Sequence, residues 1–311
     1  MGTTAFAVES LKALVGNHYN VVGVITAPDR RAGRGQKIMQ SAIKEYALSV
    51  NLPILQPEKL TNPDFLKELQ DLQADLQIVV AFRMLPGIIF NMPRLGSFNL
   101  HASLLPQYRG AAPINRAIMN GEKKTGVTTF FLQHEIDAGN IINQFELPIS
   151  DEDTAGTLHD KLMVLGANLV LKTISDIEDN MARDIPQHRW ADCSQLKAAP
   201  KIYKEDCRIN WNENAEKIRN HIRGLSPYPA AWTHFITKNG KPINVKIYKA
   251  EVNHSEILKP GSIVSDRKDH LLIGTSEEAL KIHELQAEGK KRMSISDFLR
   301  GFDIKQIIKV E

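Results

Sequence analysis

Short apolar runs alternate with amphipathic stretches along the first 180 residues. Residues 21–26, 76–81 and 97–100 are apolar and of strand length, and they read as buried strands. Between them, residues 5–15, 41–49 and 63–72 carry apolar side chains at helical spacing. Strands alternating with helices predict an α/β fold built on a parallel sheet covered on both faces. Residues 126–132 add a further strand. Residues 154–177 form a longer packing helix on which Leu158, Leu162, Leu165 and Leu169 recur every three or four positions. Periodicity is lost over 184–199, and Ala198-Ala199-Pro200 has the composition of a linker. From about residue 205 the style changes. A short helix over 213–223 leads into strand-like runs separated by turn signals at Asn239-Gly240, Lys259-Pro260-Gly261 and 266–269. Asn-Gly between alternating segments predicts a hairpin, and several short strands in succession predict a small β-barrel. A last helix is expected at 294–300, opened by Ser294 and Asp297 at capping-box spacing. The pattern divides the chain into a first domain over 1–188, a linker over 189–204 and a barrel over 205–311.

The length of 311 residues suits two domains, each with its own core. No apolar run approaches the ~18–20 residues of a membrane span. Neither a secretory leader nor a myristoylation pattern is present, because Phe6 stands where the latter needs Ser or Thr. Cys193 and Cys207 cannot build a disulfide framework and are not at metal-ligand spacing. The expectation is a cytoplasmic protein without a metal and, lacking an apolar stripe that asks for a partner, a monomer. Net charge is +3 but unevenly spread: 204–311 carries 19 basic against 15 acidic residues, while 1–203 carries 20 against 21. The basic excess in the second part suits a polyanionic partner.

Chemistry concentrates after the third strand. Asn99 and His101 lie two apart at its end, so their side chains leave one face. In an open α/β sheet that end is where ligands bind. A loop rich in Pro, Gly and small residues follows, through Pro113. Asp137, in Asp137-Ala138-Gly139, follows another strand. It could serve only its own turn, as His101 could be only a hydrogen-bonded core histidine. If the three converge, they suit acyl transfer: an amide for an oxyanion, an imidazole to move a proton, a carboxylate to set the imidazole's state. Two glycine-containing segments are not nucleotide fingerprints. Gly33-Arg34-Gly35 lacks the third glycine, and Gly121–Gly126 has Val127 where a phosphate loop needs lysine.

The stretch Ser97-Phe98-Asn99-Leu100-His101-Ala102-Ser103-Leu104-Leu105-Pro106-Gln107-Tyr108-Arg109-Gly110, with Asp137-Ala138-Gly139, resembles the active-site signature of the folate-dependent formyltransferases. Similarity extends to the Ala27-Pro28-Asp29-Arg30-Arg31-Ala32-Gly33-Arg34-Gly35 segment, to Ser150-Asp151-Glu152-Asp153-Thr154-Ala155-Gly156-Thr157-Leu158 and to Ile209-Asn210-Trp211. The basic segment and the second domain point to the tRNA-directed branch of that family. The resemblance implies a Rossmann-like catalytic domain followed by an OB-like, tRNA-binding barrel. The donor would be 10-formyltetrahydrofolate, contacted by Ser103, Leu104, Leu105 and Pro106. The acceptor would be the α-amino group of methionine on charged initiator tRNA, and the reaction serves translation initiation. Asn99, His101 and Asp137 match the catalytic triplet. Arg30, Arg34 and Lys37 would meet the acceptor end of the tRNA, with Lys290-Lys291-Arg292 as a phosphate track on the barrel. A formyl-folate hydrolase and a sugar-nucleotide formyltransferase are the alternative enzymes, and a non-catalytic RNA-binding protein is the alternative of another class. Two departures stand out. Arg31 replaces a common proline, and Gly2-Thr3 follows Met1 directly where the family has a short apolar strand. The second departure predicts two rows of ladder hydrogen bonds missing from the middle of the sheet.

Overall fold

The side chains of Asn99 and His101 are carried by β6 (Ser97–His101), and the first part of the chain is best followed from that strand. The computed structural model describes residues 1–32, 37–190 and 195–311, of Arg31, Ala32 and Lys37 the backbone alone; Arg34 and Cys193 lie outside the described residues. Two compact units are formed. The first holds Met1–Pro113, Lys124–Pro148 and His159–Ala199, and the second holds Ile114–Lys123, Ile149–Leu158 and Pro200–Glu311.

In the first unit, α1 (Ala5–Gly16), β1 (Val24–Ile25), β2 (Arg30–Ala32), β3 (Lys37–Met39), α2 (Ala42–Ser49), β4 (Ile54–Leu55), α3 (Pro63–Asp71), β5 (Gln77–Val80) and α4 (Gly87–Phe90) precede β6. Local chemistry sets the helix starts. The Ser41 hydroxyl accepts from Lys44 N at 3.3 Å to open α2. Asn62 accepts from Asp64 N at 2.8 Å ahead of Pro63, whose missing N–H costs nothing at that position. β1 pairs β4 in parallel, and β5 pairs β6 in parallel with Val79 opposite Asn99. An antiparallel flank completes the layer: β6 pairs β7 (Lys124–Phe131), which pairs β8 (Ile141–Pro148). Ile25, Phe65, Leu69, Val79, Ile89 and Phe90 form a core on this sheet.

The middle of the sheet corrects one expectation. The rows next to β1 and β5 are not wholly missing, because Met1 and Gly2 supply part of them. Gly2 N donates to Ile25 O at 3.0 Å and Val80 N to Met1 O at 2.9 Å, with Gly2 in parallel register with Val80. The Met1 amine donates to Ile78 O at 2.7 Å. Beside this two-residue bridge a cavity of about 570 Å³ opens, lined among others by Leu11, Val22, Val24, Leu76, Ile78 and Ile174. Of the run 21–26, only Val24 and Ile25 are paired as strand; a strand forms where a neighbour offers its ladder.

In the second unit, α7 (Ala215–Leu225) is capped by Asn214, which accepts from Lys217 N at 2.8 Å. Its Ala215, Ile218, Ile222 and Leu225 recur at helical spacing and enter a barrel core with Phe235 and Phe298. The barrel follows the order β11 (Ile263–Ser265), β12 (Leu271–Gly274), β13 (Ala279–Ala287), β10 (Pro242–Asn253), β9 (Ala231–Thr237), β15 (Ile307–Val310), with β14 (Met293–Ser294) on β13. Closure occurs where Val310 N donates to Gly261 O at 2.8 Å. Gly261 has φ +74°, and a Cβ there would stand 2.3 Å from Val310 O, so the seam admits only glycine. Asn239-Gly240 joins β9 to β10 as the hairpin signal predicts. α8 (Ile295–Gly301) starts at Ser294, whose hydroxyl accepts from Asp297 N and donates to Asp297 Oδ2. Arg223, nearly enclosed, donates to Asn220 Oδ1 at 2.7 Å and to the carbonyls of Ser150 and Asp153, tying 149–158 to α7.

Candidate active site

His101 ends β6 with 7% of its surface exposed. Its Nε2 lies 2.9 Å from Tyr108 O, and a carbonyl can only accept, so this nitrogen carries a hydrogen. Nδ1 faces Asp137 Oδ2 at 3.8 Å. When the ring takes up a second proton, that proton sits on Nδ1, toward the carboxylate. Asp137 does not cap its own turn. Its Oδ2 accepts from Gly110 N at 2.9 Å, across the site, and its backbone is left-handed at φ +52°. Tyr108, whose carbonyl orients His101, is also left-handed at φ +61°. Non-glycine residues in this region are held there by their surroundings and cluster at functional sites.

Asn99 shares the His101 face of β6 and is half-buried. Its amide makes no side-chain hydrogen bond with another described residue, so it is free to donate to a reacting carbonyl oxygen. Ser103, Leu105 and Pro106 are buried and Leu104 is half-buried. The polar groups of this loop are consumed internally. Ser103 Oγ donates to Gln107 O at 2.7 Å, Thr128 Oγ1 donates to Ser103 O at 2.6 Å, and Gln144 Nε2 donates to Leu105 O at 2.6 Å. The loop is thus a fixed wall with Leu104 as its more accessible member.

Apolar side chains stand in solvent nearby: Met84 is 74% exposed, Ile88 60% and Ile136 62%. Gly87 lies against the His134 ring, which packs edge-on to Phe90 at 5.5 Å, so the 84–90 segment adjoins the turn carrying Asp137. Exposed apolar surface beside converging polar groups fits a flat organic ligand.

A sequence-family profile described as formyl transferase matches residues 1–174, and one described as formyl transferase, C-terminal domain, matches 201–303. A methionyl-tRNA formyltransferase of Parabacteroides distasonis is 56% identical over 310 residues, spanning 99% of this chain and 95% of its own. Another from Bacteroides fragilis is 52% identical, over 100% and 96%. The chain belongs to the methionyl-tRNA formyltransferase family. An N-formyltransferase from Helicobacter canadensis, solved with folinic acid and dTDP-3-aminofucose, shares the fold at a TM-score of 0.65 and 23% identity, over 94% of this chain and 97% of that one.

In this methionyl-tRNA formyltransferase family member the described ends of the basic segment are strands. Residues 30–32 and 37–39 pair antiparallel, Arg30 opposite Met39. Arg30 is exposed and forms no ion pair with another described residue. Asp29, the one acid of the segment, is already paired with Lys44 Nζ at 2.6 Å and accepts from Gln56 Nε2 at 2.9 Å; the Lys44 hydrogen bond first, then that of Gln56, holds the carboxyl below its ordinary range. Lys37 occupies the returning strand. On the barrel the Lys290–Arg292 cluster is weaker than its sequence suggests: the Arg292 guanidinium is paired with Glu284 and lies 4.5 Å from the Tyr248 ring centroid. Three contributors escaped sequence reasoning. Thr128 and Gln144 brace the loop, and Gln187 braces the Asp137 turn; none carries a motif signal.

Gly139 fixes that turn from below. A Cβ there would stand 1.7 Å from Phe131 O. Gly139→Ala is expected to cost roughly 1–3 kcal/mol by overpacking and to displace Asp137 two residues earlier. Thermal unfolding and turnover check this together; an unchanged melting temperature would show that the backbone yields freely.

Proposed function

We propose that this protein transfers the formyl group of 10-formyltetrahydrofolate to the α-amino group of methionine on charged initiator tRNA. The arrangement of His101, Asp137 and Gly110 around the end of β6, with the uncommitted amide of Asn99 on the same face, carries the mechanism. The neutral amine attacks the formyl carbon, forming the new C–N bond and a tetrahedral oxyanion. Asn99 Nδ2 donates to that oxygen, while His101, its Nε2 hydrogen held by Tyr108 O, has Nδ1 beside Asp137 to take the proton that the attacking nitrogen loses. Collapse expels the folate N10, and the proton lost by the attacking nitrogen is delivered to it through the His101–Asp137 pair. The donor's flat ring system would lie on Met84, Ile88 and Ile136 against the wall of Ser103, Leu104, Leu105 and Pro106. Arg30, Arg34 and Lys37 would hold the acceptor end of the tRNA, and the barrel unit, net +4 over 204–311, would hold its backbone.

The test is transfer of labelled formyl from 10-formyltetrahydrofolate to methionyl initiator tRNA; hydrolysis of the donor without transfer, or transfer to a sugar nucleotide instead, would overturn the acceptor. Binding of the charged tRNA is expected to weaken steeply with salt, with a log–log slope of roughly −3 or steeper. A Kd indifferent to salt would remove the phosphate contacts from this reading.

A further inference from the structure

We propose that Gln187 is a positioning residue for the Asp137 carboxylate, an inference that rests on the reading of Asp137 as part of the transfer site. Gln187 sits in a short turn over Gln187–Arg189 and is 3% exposed. Every hydrogen-bonding capacity of its amide is committed. Nε2 donates one hydrogen to Asp137 O and the other to Gly139 O, both at 2.8 Å. Oε1 accepts from Arg109 Nε at 3.0 Å and from Arg109 Nη2 at 2.7 Å.

Both sides of the carboxylate's support therefore meet on one side chain. On one side, the two donated bonds clamp the carbonyls that bracket Ala138 and hold Asp137 in its left-handed conformation. The turn's own hydrogen bond is long, 3.5 Å from Ala138 N to Glu135 O, so the clamp comes from outside the turn. On the other side, Arg109 directly precedes Gly110, whose N–H holds Asp137 Oδ2. Gln187 thus fixes the carboxylate and the donor it bonds relative to each other, and through them the 3.8 Å approach to His101. It touches no reacting atom.

The test separates this from a merely structural role. Gln187→Glu keeps the shape and the Arg109 contact but turns both donors into an acceptor facing two carbonyls. Gln187→Asn keeps the uncharged amide and withdraws it by one methylene. Either folded variant is expected to lose roughly 10- to 100-fold in kcat, since small misplacement of a reacting group has that effect, while KM for donor and for tRNA stays within about threefold. Hydrogen exchange at the Gly110 amide is expected to quicken relative to amides of the barrel. A folded variant whose kcat stays within twofold overturns the proposal. So does a loss expressed in KM, or the failure of both variants to fold. His101→Ala is measured beside them: if it stays active, the site reading itself fails; if it is inactive while Gln187→Glu is normal, only this inference fails.

Discussion

Replacing His101 with alanine is expected to slow formyl transfer by about two to four orders of magnitude, the range a positioned general acid or base contributes. The imidazole has two neighbours: Tyr108 O takes the Nε2 hydrogen, and Asp137 waits 3.8 Å from Nδ1. Alanine deletes the group that can hold charge between the acceptor amine and the carboxylate. It leaves β6 and the Gly110–Asp137 bond in place. Affinity for the donor and for charged tRNA is therefore expected to stay within about threefold, measured by titration of the variant. Asp137→Asn is the companion, since its amide oxygen can still accept from Gly110 N while the charge facing Nδ1 is gone. It is expected to fall into the same range of kcat. Turnover by His101→Ala within tenfold of the parent would take the proton-handling role away from this ring.

Elements whose signals are local were legible in the sequence. α1, α2, α3 and α6 (Ala155–Glu178) fall within one or two residues of the periodic segments, because apolar spacing and the caps at Ser41 and Asn62 act over a few residues. The Asn239-Gly240 hairpin is likewise local. Elements that exist only through partners were not legible. β8 has few alternating positions and is a strand because β7 lies beside it. Arg30–Ala32 and Lys37–Met39 are strands because each offers the other its ladder; three residues are too few to show a period of their own. At the site, the spacing of Asn99 and His101 put them on one face of a strand, and it was the family resemblance that joined Asp137 to them. That Asp137 reaches Gly110 rather than its own turn is a tertiary fact. Gln187, 50 residues along the chain from Asp137, illustrates the limit. A buried glutamine has no period and no motif, and its importance lies in four bonds that only the fold assembles.

For the polypeptide of residues 1–311 prepared with a free α-amine on Met1, the second large effect is a stability that climbs between pH 5 and pH 8. Burial pushes this group from 8.0 down to about 5, where it serves as a neutral donor to Ile78 O. The unfolded chain takes up a proton on it below pH 8, whereas the folded chain does so only below about 5. Across that window the unfolded state holds the extra proton, so folding is penalised progressively as the pH falls. Three decades of proton affinity correspond to about 4 kcal/mol over the whole window. His221 adds to the slope below its ordinary range, because burial lowers its pKa also. Asp266, held down to about 2 chiefly by the backbone N–H of Lys268, stays ionised throughout and adds nothing there. The two amine-bearing and histidine contributions separate by chemistry. Acetylating the α-amine before refolding leaves one N–H for Ile78 O and removes the titration, while His221 is untouched. Denaturant unfolding of the free and acetylated chains at pH 5.5 and pH 8 is expected to show a steep pH dependence in the first and a shallow residual one in the second. Equal slopes would mean that the amine is hydrated when charged, through the cavity of about 570 Å³ that adjoins it.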